Sequence, residues 1–421
     1  MLKKGIAIFK KQKQLQNFTI YGIGQFFNLV TPLLAVPYLV AVCNEEGYGK
    51  IGVGLAVSFF LMVFIDYGSD ILGVKEVSIN RNNKETLNKI FSTIYLAKLI
   101  LLAVVLAVFS LIILTVPFFA REKSLFFLSF PILVGQLINP TWFLQGVENF
   151  KWITVLNITS KIIYVTGIFL FIQRPENYIL NNLFWGLGMI IANSIVFFYL
   201  FKKHHFSFNA TNWQEVKKYL RDNFSIFFSQ IFNALQMYFP IVLVSYFGNN
   251  TMAGQYKIID QIIVIFRTYI ILFFNFIFPR VCYALNESKE EGLKIWKEAN
   301  GLNFGFTTIL LIIIGVLSTI IVGYFNAKDV DLVSNLLKLA LIIPLLQSVS
   351  QPLKQLMFSW EKQKQYVKTV TIVTILAMAG IVFMVPDLGV SGVLYALIFS
   401  ELLVVFLFFA TIKNKLFHTS S

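Results

Sequence analysis

The chain has 421 residues, of which 57% are hydrophobic and only 13% are charged, and its formal net charge is +14. A soluble domain is nearer half apolar and a quarter charged, so this composition excludes an ordinary water-soluble core and indicates that the solvent is largely lipid. Two cysteines are too few for a disulfide framework.

Hydrophobic windows long enough to cross a bilayer recur along the whole chain. A transmembrane helix needs roughly 20 apolar residues. In the first half the predicted spans are 17–43, 49–74, 90–114, 124–144, 153–172 and 181–201. In the second half they are 224–247, 253–282, 300–324, 333–357, 366–386 and 390–412. The sequence therefore predicts an all-α integral membrane protein of about twelve transmembrane helices.

The positions of the basic residues predict the orientation of these spans. If the N-terminus is cytoplasmic, 24 Lys and Arg residues lie in cytoplasmic segments and five lie in external ones. Because short cytoplasmic loops are enriched in Lys and Arg, this bias predicts that both termini are cytoplasmic. The positive charge is thus assigned to topology and to contact with membrane lipids, and no nucleic-acid partner is predicted.

A short internal repeat divides the chain into two halves. Residues 17–20, with the sequence Asn-Phe-Thr-Ile, are echoed by residues 223–226, Asn-Phe-Ser-Ile. The register then holds at a fixed offset, which matches Gln25 with Gln230, Asn28 with Asn233 and Gly49 with Gly254. Transporters built from such repeats place the substrate site between the halves. We predict an N-terminal lobe (1–201), a cytoplasmic linker (202–223) and a C-terminal lobe (224–421).

Cationic residues inside the spans are the first candidates for a substrate site. A charge at the bilayer centre costs roughly 2.5–3.5 kcal/mol on insertion scales, so it normally faces a cavity or a partner. Arg267 lies midway along the eighth span, and its guanidinium could donate two hydrogen bonds to a phosphate. Lys257, Lys98 and Lys161 are further substrate candidates, although each is also near enough to a span end to snorkel. The polar residues Gln25 and Asn28 complete this set.

Four carboxylates are predicted to carry a coupling cation. They are Asp66, Asp70, Asp260 and Glu401. Asp66 and Asp70 are spaced i,i+4 and are expected on one face of the second span, while Asp260 shares a face with Arg267 in the eighth. The alternative for each is a structural ion pair between helices.

Soluble-enzyme chemistry is not predicted. All three histidines lie in cytoplasmic segments, and no Cys/His cluster, phosphate-binding loop or nucleophile elbow is present in the sequence. We therefore expect no catalytic residue, no metal site and no cofactor.

Four stretches of the N-terminal half carry a family resemblance. They are Asn17-Phe18-Thr19-Ile20-Tyr21, Pro37-Tyr38-Leu39, Asp66-Tyr67-Gly68 and Pro140-Thr141-Trp142-Phe143-Leu144-Gln145-Gly146-Val147-Glu148. In the order and spacing of these stretches the chain resembles the polysaccharide (O-antigen and capsule) flippases, often called Wzx-type, of the multidrug/oligosaccharidyl-lipid/polysaccharide exporter (MOP) superfamily. The C-terminal half matches mainly in its span layout.

The resemblance implies a MATE-like fold, a V-shaped pair of six-helix lobes around a central cavity. It implies a flippase that moves a polyprenyl-pyrophosphate-linked oligosaccharide, an O-antigen or capsule repeat unit, across a bacterial cytoplasmic (inner) membrane. Alternating access driven by H⁺ or Na⁺ is the implied mechanism. The protein partners it implies are glycosyltransferases and a polysaccharide polymerase.

Other functions are alternatives to this one. A cation-coupled multidrug antiporter of the same superfamily would need an acidic cavity, whereas these spans mix carboxylates with Arg267 and several lysines. A membrane polysaccharide polymerase usually has a large external loop, and a membrane acyltransferase needs an intramembrane histidine. A flippase for cell-wall precursors typically has more than twelve spans.

Overall fold

The computed structural model describes residues 2–417, and within that range it describes all side chains except those of residues 2–21, 23, 25, 209, 414, 415 and 417. All the regular elements of this range are helical. In chain order the α-helices are α1 (Leu2–Asp66), α2 (Val74–Asn80), α3 (Lys84–Thr115), α4 (Pro117–Ala120), α5 (Lys123–Leu128), α6 (Phe130–Ile138), α7 (Thr141–Gly146), α8 (Phe150–Phe171), α9 (Leu180–His204), α10 (Trp213–Phe247), α11 (Asn250–Glu287), α12 (Lys289–Val316), α13 (Ser318–Tyr324), α14 (Val330–Ala340), α15 (Ile342–Ser359), α16 (Gln363–Leu388) and α17 (Val390–Phe417). A π-helical turn (Ser69–Gly73) and two short 3₁₀ turns (Pro175–Ile179 and Phe208–Ala210) connect some of them.

Eleven stretches of the described residues are long and apolar enough to cross a membrane. The first of them, Phe26–Asp66, contains a break at Asn44, whose φ of 58° is left-handed. Since α1 is thus two helices joined at a kink, this stretch takes the place of the first two predicted spans. The fold class is therefore confirmed as a multi-pass all-α membrane protein, with a number of membrane helices close to the twelve predicted.

The helices form two compact units. The first unit comprises Met1–Cys43 and Val53–Ala234, and the second comprises Asn44–Gly52 and Leu235–Ser421. The segment predicted as a linker contains the end of α9, a 3₁₀ turn and the start of α10. Within the first unit, Lys89 on α3 forms a 2.9 Å ion pair with Glu215 in the first turn of α10.

The second predicted span ends earlier than the hydrophobic pattern suggests. α1 stops at Asp66 because Tyr67 and Gly68 take left-handed conformations, with φ of 45° and 79°. Glycine adopts such a conformation at no steric cost. The prediction that Asp66 and Asp70 share one face of a continuous helix is therefore wrong.

The predicted fourth span folds as three short helices. α5, α6 and α7 are separated at Ser129 and at Asn139–Pro140. Proline removes a backbone hydrogen-bond donor and clashes with the preceding turn, so a helix tends to end before it. The Asn139 side chain accepts hydrogen bonds from the backbone N–H and the hydroxyl of Thr141, at 3.0 and 2.6 Å, and so opens α7.

Each unit has its own core of large apolar side chains. In the first unit, the fully buried Phe91 of α3 stacks on Phe206 with a centroid distance of 3.9 Å, and Trp142 and Phe143 of α7 pack around it. In the second unit, Leu356 and Met357 of α15 pack with Phe408 of α17.

The repeat has a structural counterpart in the second unit. A Cβ atom at Gly49 would collide with the carbonyl oxygen of Asn250, and one at Gly254 would collide with the carbonyl oxygen of Glu45. Gly254 lies 205 residues after Gly49, and Asn250 lies 205 residues after Glu45. The backbones of α1 and α11 therefore cross at a distance that only glycine permits. The residues at this crossing occupy equivalent positions in the two copies of the repeat.

Candidate functional site

A polar cavity of about 220 Å³ lies within the first unit. Its walls come from α1, α6, α7, α8 and α9 and the turn before α7. The lining residues are Asn28, Phe59, Met62, Gln136, Asn139, Thr141, Leu156, Asn157, Ser160, Lys161, Trp185, Met189 and Asn193. Side-chain amides, hydroxyls, one ammonium and one indole ring are therefore gathered inside a bundle of membrane helices.

Close packing of α8 on α9 shapes one wall of this cavity. A Cβ at Gly188 of α9 would lie only 2.5 Å from the carbonyl oxygen of Ser160, so glycine lets the two helices approach. Asn193, also of α9, donates a 2.8 Å hydrogen bond to the carbonyl of Gly135 on α6. This hydrogen bond links α9 to α6.

A buried ion pair lies next to the cavity. Lys98 Nζ of α3 is 2.8 Å from Asp66 Oδ1, and the Lys98 side chain is only 2% exposed. Gln136 Nε2 donates to the other carboxylate oxygen at 2.5 Å. Since Gln136 also lines the cavity, the pair and the cavity share a residue. Of the two alternatives predicted for Lys98, snorkelling is excluded, because its ammonium is buried against Asp66.

Asp70 has a different environment from Asp66. It follows the break in the helix and is exposed, and Gln230 of α10 donates to both of its carboxylate oxygens at 2.9 Å. The hydrogen-bond partner of Asp70, Gln230, is neutral, whereas Asp66 is paired with the cation of Lys98. The two aspartates that looked equivalent in the sequence therefore have separate partners.

Lys161 lies at the middle of α8 and points its ammonium at Trp185 of α9. Its Nζ is 3.6 Å from the centroid of the indole ring, within the range of a cation–π interaction. No carboxylate oxygen of the described side chains lies within 4.0 Å of that nitrogen. Of the two lysines of the first unit that the sequence singled out, Lys98 is paired with Asp66, and Lys161 has no counter-ion among the described side chains.

In the second unit, α11 carries the charged stripe that the sequence predicted. Lys257 and Asp260 form a 3.0 Å ion pair one turn apart, with side chains 23% and 13% exposed. Arg267 lies half-buried near the middle of α11. Asp260 is paired with Lys257, and no carboxylate of the described side chains lies within 4.0 Å of the Arg267 guanidinium.

Glu401 is buried in the middle of α17. Its carboxylate accepts hydrogen bonds from Gln347 at 3.0 Å and from the hydroxyl of Ser350 at 3.5 Å, both on α15. Arg267 is near enough to act on it electrostatically but does not contact it. Glu401 is therefore a buried carboxylate whose hydrogen-bond partners are neutral.

The two remaining substrate candidates lie on α1. Asn28 lines the cavity of the first unit, whereas the side chain of Gln25 lies outside the described residues. Sequence reasoning did not single out Asn157, Ser160 and Trp185. The i,i+3,i+4 spacing of Asn157, Ser160 and Lys161 was a usable signal, because such residues share one helix face.

Comparison with known proteins is consistent with this geometry. Residues 14–282 match the model of a family described as polysaccharide biosynthesis protein. A curated protein of Escherichia coli (strain K12), with the provisional name of O-antigen transporter, is 22% identical over 409 residues. The match covers 95% of this chain and 97% of the relative.

Solved structures share the fold. The structure is similar to the lipid II flippase MurJ in an inward closed conformation, with a TM-score of 0.70 and 16% identity over 94% of this chain and 87% of MurJ. It is also similar to an inward-facing multidrug resistance MATE family transporter of the MOP superfamily, with a TM-score of 0.72 and 12% identity over 95% and 97% of the two chains. At these identities the likeness shows the fold, which is the MATE-like fold predicted. The names of the three proteins are those of transporters and a flippase, in keeping with a chain that is not an enzyme.

Proposed function

The chain belongs to the polysaccharide biosynthesis protein family, and we propose that it is a flippase that moves a polyprenyl-pyrophosphate-linked oligosaccharide, such as an O-antigen or capsule repeat unit, across a bacterial cytoplasmic membrane. The observation that carries the proposal is the cavity of the first unit. It offers amides, hydroxyls and an ammonium that has no counter-ion among the described side chains, inside a bundle of apolar helices. Such groups at membrane depth mark a route for a polar substrate.

The cationic groups support this substrate class over a cationic drug. Lys161 and Arg267 both lie deep in membrane-spanning helices, and neither has a carboxylate of a described residue within 4.0 Å. A cationic drug would be repelled by them, whereas a diphosphate or an acidic sugar would be attracted. Asp66 near the first cavity and Asp260 on α11 are each paired with a lysine.

Ion-coupled alternating access is the proposed drive. A coupling carboxylate must bind and release a cation, and Asp66 and Asp260 are held by lysines. Glu401 is the stronger candidate, because it is buried and its hydrogen-bond partners are neutral. H⁺ is the simplest ion for a carboxylate that is bonded to an amide and a hydroxyl, and Na⁺ is the alternative.

The basic cytoplasmic segments support an orientation with both termini in the cytosol. On that orientation the substrate is taken from the leaflet where glycosyltransferases assemble it and is delivered to a polysaccharide polymerase on the other side. These protein partners are part of the proposal.

Deletion of the gene in the source strain tests the function. The lipid-linked oligosaccharide should accumulate on the cytoplasmic leaflet, protected in intact spheroplasts from a membrane-impermeant sugar-oxidising reagent. Expression of the wild-type chain should restore its exposure to the reagent. Normal exposure of the oligosaccharide in the deletion strain would refute the proposal.

A further inference from the structure

One helix face in the first unit carries three polar side chains that have no hydrogen-bond or ion-pair partner among the described residues. Asn157, Ser160 and Lys161 lie at i, i+3 and i+4 on α8, are half-buried, and line the cavity. Among the described residues, the side chains of Asn157 and Ser160 have no hydrogen-bond partner. Lys161 has the Trp185 ring and no anion.

These polar side chains lie deep in a membrane helix, so leaving them without partners costs free energy unless a ligand or water occupies the cavity. α8 has 22 residues, and Lys161 is the twelfth, so it lies roughly 16 Å from either end at 1.5 Å per residue. From there its ammonium does not reach the membrane surface easily. Because polar groups removed from water are nearly always hydrogen-bonded, the unsatisfied face points to a bound ligand or to water in the apo state.

Other residues of the cavity lining already take part in internal hydrogen bonds. Asn193 donates to Gly135, and Asn139 binds both Gln136 and Thr141. The cavity therefore combines a rigid wall with three groups on α8 that are available. A preorganised site of this kind loses little conformational entropy when a ligand binds.

The size and chemistry of the cavity restrict the ligand. Its volume of about 220 Å³ is below the roughly 300–1,000 Å³ of sites that enclose drug-sized ligands, so it suits one ring of a larger molecule. Amide and hydroxyl groups both donate and accept hydrogen bonds, as sugar hydroxyls do. A diphosphate has no donors for the amide oxygens, whereas a sugar carboxylate can pair with Lys161 while its ring hydroxyls bind the amides.

We propose that this cavity is a subsite for one acidic sugar of the transported oligosaccharide, with the carboxylate on Lys161 and the ring hydroxyls on Asn157 and Ser160. The proposal rests on the flippase function and adds a substrate class to it. It places a specificity-determining contact inside the first unit, on a helix face distinct from the charged stripe of α11.

Binding of a monosaccharide probe to the full-length protein in nanodiscs tests the subsite. Methyl β-D-glucuronide should raise the melting temperature and change the tryptophan fluorescence, while methyl β-D-glucoside at the same concentration should not. Lys161→Met should weaken glucuronide binding at least tenfold, and Lys161→Arg, which keeps the charge, should retain most of it. Lys338→Met, at an exposed lysine of α14, is the matched control and should bind like the wild type.

The other outcomes overturn the proposal. If glucuronide does not bind, or binds Lys161→Met as well as it binds the wild type, the subsite is refuted. If inorganic phosphate competes with glucuronide on equal terms in a Lys161-dependent way, the site is a phosphate site and the acidic-sugar assignment is wrong.

A transport assay distinguishes failure of the subsite proposal from failure of the proposed flippase function. In liposomes, Lys161→Met should slow the movement of a lipid-linked oligosaccharide that contains a uronic acid at least tenfold more than that of a neutral one. Equal movement of both by the variant refutes the subsite and leaves the flippase function standing. Glucuronide binding without movement of either lipid refutes the flippase function and leaves the binding site standing.

Discussion

Lys98 in the first unit and Arg267 in the second both lie deep in membrane-spanning helices, but only one of them has a counter-ion. Lys98 is 2% exposed and lies 2.8 Å from Asp66, whereas no described carboxylate lies within 4.0 Å of Arg267. In the second unit the buried carboxylate, Glu401, is bound by an amide and a hydroxyl. Depth in the membrane alone therefore does not identify a functional charge. The pairing of each charge separates those that hold the helices together from those available to a ligand or an ion.

Removing Lys98 should have the largest effect on stability. Lys98→Met leaves the half-buried Asp66 carboxylate, 21% exposed, without its cation, and breaking a fully buried pair costs about 3–5 kcal/mol, which is the upper bound here. We expect a sharp loss of monodisperse protein and a large fall in melting temperature. The double variant Lys98→Met/Asp66→Asn removes both charges and should recover most of the loss. A stable single variant would show that the pair is not structural.

The close helix crossing in the second unit should be the next most sensitive point. Gly254→Leu forces side-chain atoms against the carbonyl of Glu45, and overpacking of this kind costs about 1–3 kcal/mol. Gly301→Leu is the matched control, because a Cβ there meets nothing within 4 Å. Melting temperatures of the two purified variants measure the difference. Equal melting temperatures would contradict the tight crossing.

Glu401→Gln should affect coupling more than folding. The amide keeps the size of the side chain and one acceptor oxygen, and its NH2 group can donate to the Ser350 hydroxyl, but it cannot exchange a proton. The protein should therefore fold and yet lose its response to an imposed ion gradient. Transport with and without the gradient is the measurement. Undiminished gradient dependence in this variant would assign coupling to another group, with Asp70 the first to examine because its partner, Gln230, is neutral.

The smallest effect is expected for the exposed pair between α3 and α10. Lys89 and Glu215 lie 2.9 Å apart, but their side chains are 49% and 34% exposed, so water and salt screen the interaction. Lys89→Met should leave the melting temperature unchanged within error. A fall in melting temperature as large as that of Lys98→Met would show that buried and exposed ion pairs contribute equally to the stability of this protein.

Most of the fold was predictable from the sequence because a helix that crosses a lipid bilayer needs a continuous apolar stretch of roughly 20 residues. Apolar windows of fixed length identified the membrane helices, and the break near residue 44 fell in a predicted loop. The break at Tyr67 and Gly68 was missed, since the apolar pattern continues through it and two left-handed residues leave no periodic signal. The three short helices in place of the fourth span were also missed, because the apolar pattern continues through the breaks at Ser129 and Asn139–Pro140.

The candidate site was predictable only as a set of residues. Lys98 and Lys161 occupy similar depths in their predicted spans, and nothing local distinguishes them. Their difference arises from residues far away in the chain, Asp66 for one and Trp185 for the other. The walls of the cavity come from five helices. Asn157 and Ser160 can therefore be recognised as cavity residues only once the packing of those helices is known. The functional roles of all these residues stay predictions.

The movement of a labelled polyprenyl-pyrophosphate oligosaccharide between the leaflets of liposomes tests the central claim most directly. The purified wild type should move the lipid faster than protein-free liposomes, and an imposed ion gradient should accelerate it. Arg267→Gln should fold normally but slow the movement by about tenfold or more, the effect of losing one hydrogen bond to a charged group. Absence of movement by the wild type, together with export of a cationic dye under the same gradient, would contradict the flippase function and favour a multidrug antiporter.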